Sequence, residues 1–270
     1  MTSPAKEFLR RAAISVLAAG KAYPTGLTDA GSLRALLKSL APVLPGRDLI
    51  RLGPAADGGY LVPDDLRGIE ACFSPGVSSV SGFEKDCAKL GMNVFLADRT
   101  VAGPAEPHPR FNFIRKHVGA VTDDDVMTMD DWVRRSVPDS QSDLLLQMDV
   151  EGAEYETLLA MPDGLLRRFR IAVIEFHWLD HLWSKPLFQL ASSAIRKLLQ
   201  THTCVHIHPN NCCGSLKRAG LEIPRVAEFT FLRTDRVTNP SYATRFPHPL
   251  DADNTANAPL PLPACWIGGD

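Results

Sequence analysis

The sequence predicts an α/β fold with a mostly parallel, doubly wound sheet, and three observations carry that expectation. From residue 69 onward, short apolar runs rich in Ile, Val, Phe and Leu alternate with helix-like stretches, the pattern of β-α units on one sheet. Polar residues of a functional kind close several of these runs: Asp98, Asp149, His177 and His208. The last run, V-A-E-F-T-F-L-R, alternates and follows a short loop at LEIP, which suits a strand antiparallel to its neighbour.

In chain order, residues 1–68 are expected as a helical extension with Pro/Gly joints at Pro42, Pro45-Gly46 and Gly53-Pro54. Its opening stretch, KEFLRRAAISVLAAGKAYP, is short of a signal peptide: Ser15 breaks the apolar run and Glu7 stands in the would-be basic region. Leu9, Ala13, Val16, Leu17 and Gly20 recur at helical spacing, which predicts an amphipathic helix. Strands are expected at Ile69–Phe73, Asn93–Ala97, Phe111–Val118, Leu144–Asp149, Arg170–Phe176, Thr203–His208 and Val226–Leu232. Helices are expected at Phe83–Leu90, Thr128–Ser136, Gly152–Ala160 and Pro186–Gln200, the last with Pro186 in its first turn and Arg196-Lys197 near its end. The core therefore spans 69–238, and the Pro/Asn/Asp-rich tail 239–270 is expected to lie across it.

Composition excludes some functions. At 270 residues, one domain with a full core is expected. With 29 Lys and Arg against 31 Asp and Glu, a net charge of -2 lacks the basic excess of a nucleic-acid binder. No run is long enough to span a bilayer. The six cysteines form no C-x-x-C pair, and Cys212-Cys213 are adjacent, a poor geometry for a mutual bond. They read as reduced thiols of a cytoplasmic protein.

Two places carry chemistry. In IEACFSPGVSSVSGFEKDCAKLGMNVFLADRT, Gly76 lies at the first strand-to-helix turn and Asp98 ends the second strand. In a doubly wound sheet, that turn admits a nucleotide-like ligand, and an acid about 20 residues on accepts from its ribose hydroxyls. A single glycine in SPGVSSVS suits a pyrophosphate poorly but allows a ligand without one, such as S-adenosylmethionine (SAM). The competing reading is a plain turn, with Asp98 capping the next element. The second place is QMDVEGAEYETLL, residues 147–159, with Asp149, Glu151, Glu154 and Glu156 behind a buried run. Acids in a first helical turn favour the helix dipole, and Asp149 could be an N-cap. Glu156 belongs to that solvated category. Asp149 follows a run that should be buried, where an unpaired charge needs a partner or ligand. Glu151 and Glu154 share a face if Glu151 already lies in the first turn.

MDVEGAEYETLL resembles the D-[VI]-E-G-x-E signature of the FkbM family of SAM-dependent methyltransferases. RLGPAADGGYLVP, FSPGVSSVSGFEKD followed by Asp98, FRIAVIEFHWL, VHIHPNNCCG, EIPRVAEFTFLR and LDADN agree in order and spacing, from about residue 51 to about 255. The resemblance implies the class I methyltransferase (Rossmann-like) fold, seven strands with the last antiparallel, and methylation of hydroxyls on sugars, glycans or natural products. It places Asp57, Tyr60, Gly76, Ser78, Phe83, Glu84 and Asp98 about the cofactor, and turns Asp149 and Glu151 toward the active cleft.

His177 and His208 close the fifth and sixth strands and are expected to reach the edge that holds Asp149. Methyl transfer to a hydroxyl requires loss of the oxygen's proton, and a His or carboxylate near neutral pKa can take it. Asp149, Glu151, His177 and His208 are the catalytic candidates. Glu154, Asn210 and Asn211 are substrate-binding candidates, the asparagines through amide hydrogen bonds unless they only shape a turn. His206 and His208, two apart, share a face, but zinc lacks an obvious third ligand. A divalent metal such as Mg²⁺ could sit on Asp149, and the reaction does not require one. The expected partner is a small-molecule or glycosidic acceptor. Two rivals remain: an NAD(P)-dependent nucleotide-sugar oxidoreductase, which uses the same sheet and ribose-binding acid, and a non-catalytic scaffold with a degenerate methyltransferase fold.

Overall fold

A computed structural model describes residues 4–19, 23–77, 80–138 and 140–269. At its centre is a seven-stranded sheet of β1 (Ala71–Pro75), β2 (Asn93–Ala97), β3 (Phe111–Ile114), β4 (Leu144–Met148), β5 (Phe169–Phe176), β6 (His202–Pro209) and β7 (Ala227–Arg233). Their lateral order is β6-β7-β5-β4-β1-β2-β3. The pairs among β1 to β5 are parallel, while β7 lies antiparallel between β5 and β6. Chain order reverses between β1 and β4, and such a switch point opens a crevice at the carboxyl ends of the strands.

The helices are α1 (Pro4–Ala19), α2 (Ala30–Ser39), α3 (Gly82–Lys89), α4 (Met129–Ser136), α5 (Glu154–Ala160), α6 (Asp163–Leu166) and α7 (Lys185–Leu199). Thr128 caps α4 by accepting from the Asp131 amide at 3.2 Å, and Pro186 stands in the first turn of α7. Strand alternation sorts the core into two layers. Phe73, Leu144, Leu146 and Ile174 pack with α2, α4, α5 and α7; Cys72, Leu145, Ile171 and Val173 pack with α3 and Val62. Covered on both faces, β4 reads as a continuous apolar run.

Local signals misplaced several elements. The stretch before β1 is not helical throughout: Leu49–Leu52 and Tyr60–Pro63 form an antiparallel hairpin. A second hairpin joins Ser215–Arg218 to Leu221–Pro224. Both consist of four-residue strands, too short for alternation to stand out. The run from Phe111 to Val118 is two strands, because His117–Val118 leaves the sheet to pair with Val126–Met127. Cys212 and Cys213 are joined in a vicinal disulfide, against the expectation of six free thiols, while Cys72, Cys87, Cys204 and Cys265 are free. On α1, Phe8, Leu9 and Val16 are exposed; Gly20 lies outside the described residues. Among the described residues no helix is long and apolar enough to cross a membrane.

The tail is strapped over β6 and β7. Asp251 accepts from His206 at 2.8 Å, Asn254 donates to Glu228 at 2.6 Å, and Trp266 donates to the Glu222 carbonyl at 3.1 Å.

Candidate functional site

The site begins where β1 and β4 end side by side. Gly76 has φ +93, and a Cβ there would lie 1.6 Å from the Asp149 carbonyl oxygen. Only glycine lets the two strand ends approach this closely. The Asp149 amide donates to the Pro75 carbonyl at 3.1 Å, which completes the junction. From it opens a cleft of about 510 Å³, lined by Gly76 and Val77 after β1, Asp98 and Thr100 after β2, His117 to Gly119 beyond β3, and Asp149 to Glu151 after β4.

Asp98 stands on the β2 side. Its Oδ2 accepts from the Val77 amide at 3.1 Å, and its Oδ1 accepts from the Thr100 amide and hydroxyl, each at 2.6 Å. Partial burial works against its charge, but these hydrogen bonds outweigh that effect and hold its pKa below the usual aspartate value. The carboxylate is thus ionised and oriented.

On the opposite side four side chains meet. His177 Nδ1 lies 3.0 Å from Glu154 Oε1, and Nε2 lies 3.3 Å from Glu151 Oε2 and 3.8 Å from Asp149 Oδ1. Glu154 is fully buried, and its Oε1 also accepts from the Val150 and Gly152 amides at 3.3 and 3.0 Å. This carboxylate folds back over the turn before α5. The helix therefore starts at Glu154, two residues later than expected, and Asp149 is not its N-cap. Glu151 is outside the helix, at φ 54, so it shares no helical face with Glu154; the two reach opposite nitrogens of one imidazole instead. Gly152 at φ +108 completes the turn, and the Trp178 ring occupies the space where its Cβ would be, 2.5 Å away. That contact explains the glycine of D-V-E-G. Half-exposed Trp178 walls the site.

Asp149 Oδ1 is buried and has no hydrogen-bond partner. Burial pushes its carboxyl up to about 7; the charge of His177 opposes the shift, while Glu151, Glu154 and Asp57 add to it. For His177, burial acts against the charged ring, but the Glu154 hydrogen bond and the charges of Glu154, Asp149 and Glu175 prevail, raising it to about 9. Asp149, Glu151 and His177 each offer one ligand atom, all within 4.8 Å of one another, a spacing that could hold a metal ion. The metal candidacy of Asp149 thus gains two companions.

Two acids missed in the sequence extend the cluster along the sheet. Glu175 on β5 pairs in register with Glu228 on β7. Asn210 donates to Glu175 at 2.9 Å. Burial raises both carboxyls, Glu228 to about 8. Each interrupts an apolar strand near the edge that holds Asp149, so the same signal was present at both.

The remaining candidates separate. Tyr60, Glu84 and Gln147 line a small recess beside Asp149, with Asp57 at its mouth. Gln147 donates to the Tyr60 hydroxyl at 3.2 Å, and the Ser74 hydroxyl lies 2.7 Å from Glu84. Phe83 is a core residue, edge-on to Tyr60 at 5.4 Å, and does not line the cleft. Ser78 lies outside the described residues. His208 does not join Asp149. Its register partner Glu228, and then Glu175, intervene across β7 and β5, and its Nδ1 lies 3.8 Å from Asp251 beside a separate cavity of about 400 Å³ under the tail. Asn210 reaches the acid row. Asn211 does not, because its amide is engaged by Thr255 and Asn257 of the tail. Sequence order shows which residues end strands, but not which of them the tail will claim.

Residues 88–201 match the family model of the methyltransferase FkbM domain. The match runs from the end of α3 to the end of α7 and takes in Asp98, Asp149, Glu151, Glu154 and His177. It agrees with the resemblance read from the motifs, and the segment is similar to a methyltransferase domain of that kind. Curated proteins give no match to the chain.

Proposed function

We propose that the protein is a SAM-dependent O-methyltransferase acting on a hydroxyl of a sugar, glycan or natural-product acceptor. One observation carries the reading: a single cleft at the switch point has an ionised, oriented Asp98 on one side and an under-paired Asp149 on the other. A volume of about 510 Å³ is within the range of small-molecule sites. The cofactor fits this donor set. Asp98 has its oxygens held by local donors and keeps lone pairs for two ribose hydroxyls. Gly76 presents bare backbone, and His117 to Gly119 provide a wall for the base. SAM, when bound, supplies an electrophilic methyl group on a sulfonium.

The chain's own task is alignment and removal of a proton. With a pKa near 7 and one oxygen without a partner, Asp149 suits the role of proton acceptor at neutral pH. It takes the hydroxyl proton as the acceptor oxygen attacks in line. His177, charged below about pH 9, offsets the surrounding acids and keeps Asp149 from being protonated throughout. Glu154 fixes the ring, and Trp178 shields one side of the site.

Calorimetry of the full chain with SAM, S-adenosylhomocysteine and NAD(P) tests the reading. Binding of the first two without the third is expected; binding of NAD(P) alone overturns it in favour of an oxidoreductase. Labelled-methyl transfer to hydroxylated acceptors then separates an enzyme from a SAM-binding scaffold.

A further inference from the structure

The geometry points to a divalent-cation site formed by Asp149, Glu151 and His177, of the Mn²⁺ or Mg²⁺ kind, opening on the cleft. The first observation is the direction of the imidazole. His177 is nine-tenths buried, with 9 % of its surface exposed, and its Nδ1 is committed to Glu154 Oε1 at 3.0 Å. Glu154 is itself fully buried and fixed by the Val150 and Gly152 amides. A carboxylate holding Nδ1–H leaves Nε2 to a metal ion, which would displace the proton the metal-free ring carries there; this is the arrangement that orients histidine ligands in metal sites. Among the described residues Nε2 makes no hydrogen bond, and it points between two carboxylates, 3.3 Å from Glu151 and 3.8 Å from Asp149.

The second observation concerns Asp149. Asp149 Oδ1, the oxygen facing Nε2, is buried without a hydrogen-bond partner. A buried anionic oxygen left unpaired is costly, and a cation relieves it. The third is backbone geometry. Glu151 takes φ 54, a conformation unfavourable for a side chain of its size, and the turn through Gly152 aims its carboxylate back at His177.

The spacing suits an ion. Metal–ligand bonds of about 2.1 Å place neighbouring ligand atoms about 3 to 3.6 Å apart; Nε2 lies 3.3 and 3.8 Å from the two carboxylates, and all three ligand atoms lie within 4.8 Å of one another, so side-chain adjustment would close them on an ion. Two carboxylates with one imidazole favour a hard to borderline cation over a thiophilic one. Asp149 and Glu151 both line the cleft, so the remaining coordination positions face the space assigned to the acceptor. An ion there would polarise an acceptor hydroxyl and lower its pKa, with the second oxygen of Asp149, Oδ2, left to take the proton. Only that last consequence rests on the proposed methyl transfer; the site itself does not.

The test is calorimetry and electron paramagnetic resonance of the metal-stripped full chain titrated with Mn²⁺ alone, without donor or acceptor. One saturable site is expected, with loss of the free Mn²⁺ signal. Glu151→Gln is the sharpest variant, because Glu151 is exposed and its replacement spares the core; it should weaken binding by more than about tenfold. Glu154→Gln, which acts through the ring, should weaken it by about 10- to 100-fold. No saturable binding, or binding that Glu151→Gln leaves at wild-type strength, overturns the site. Because no methyl transfer is measured, that failure would leave the enzymatic reading standing, and a failed transfer assay would leave the ion site standing.

Discussion

Strand β4 carries an aspartate at each end, and the protein treats the two in opposite ways. Asp143, just before the strand, is enclosed by cations: Arg170 Nε approaches to 2.7 Å and Arg233 makes two contacts. Hydrogen bonds and charges from these arginines overcome partial burial and hold its carboxyl below the usual range. Asp149, just past the strand, meets only one histidine at 3.8 Å, has an unpaired buried oxygen and is raised to about 7. Asp65 repeats the first pattern, with Arg47 at 2.7 Å and Arg236 at 2.6 Å. At the amino edge of the sheet the acids are neutralised by arginine, as stability requires. At the carboxyl edge they are left short of cations, which is tolerable only if the shortfall serves chemistry.

Replacement of each aspartate tests that contrast. Asp149→Asn should reduce methyl transfer by about 10³-fold, the scale of losing a positioned proton acceptor, with SAM affinity on calorimetry little changed. Retention of near-wild-type turnover would remove Asp149 from the mechanism. Asp143→Asn should do the reverse. It leaves buried Arg170 with a weaker partner and should lower unfolding free energy by about 3 kcal/mol in denaturant melts, with SAM binding intact. Asp98→Ala should weaken SAM binding by about 100-fold or more, the loss expected for two hydrogen bonds to a charged group at about 1.5 kcal/mol or more each; unaltered affinity would move the ribose elsewhere.

The smallest expected effect is on the pH profile of stability. His177 titrates near 9 in the fold against 6.5 as a free side chain, so between those values the native protein holds a proton that the unfolded chain gives up. Its contribution is complete below 6.5 and is lost as pH rises through about 9. Asp149, raised from 3.8 to about 7, acts with the same sign in its own window: stability falls as pH climbs from about 4 to 7. Asp143, lowered in the fold, has the opposite sign and loses its contribution as pH falls below 3.8 and through its folded value. Melting temperature against pH should therefore decline toward alkaline pH in the wild type and decline less in His177→Gln. Asp143→Asn should flatten only the acid limb.

Much of this was legible in the sequence. The apolar runs of β1, β2, β4 and β5 are local signals, and Asp98, Asp149 and His177 were visible as polar residues closing buried runs. Glu175 and Glu228 bore the same mark but were absorbed into their strands, because one acid within an alternating pattern also reads as a solvent-facing position. Asn211 and His208 appeared equivalent to their neighbours until the tail bound the first and faced the second. The adjacency of Cys212 and Cys213 argued against the bond they form, since spacing rules describe common geometries and not a local turn.

The sequence by itself determined the alternation of elements, the strand ends and the residue types placed there, because side-chain periodicity and strand length act over a few residues. Only the tertiary structure decided that Glu154 and Glu151 would clasp one imidazole from its two sides while Asp149 kept a bare oxygen. Such pairings join residues on different strands and turns, and their energies depend on a burial that exists only once the sheet has closed around them.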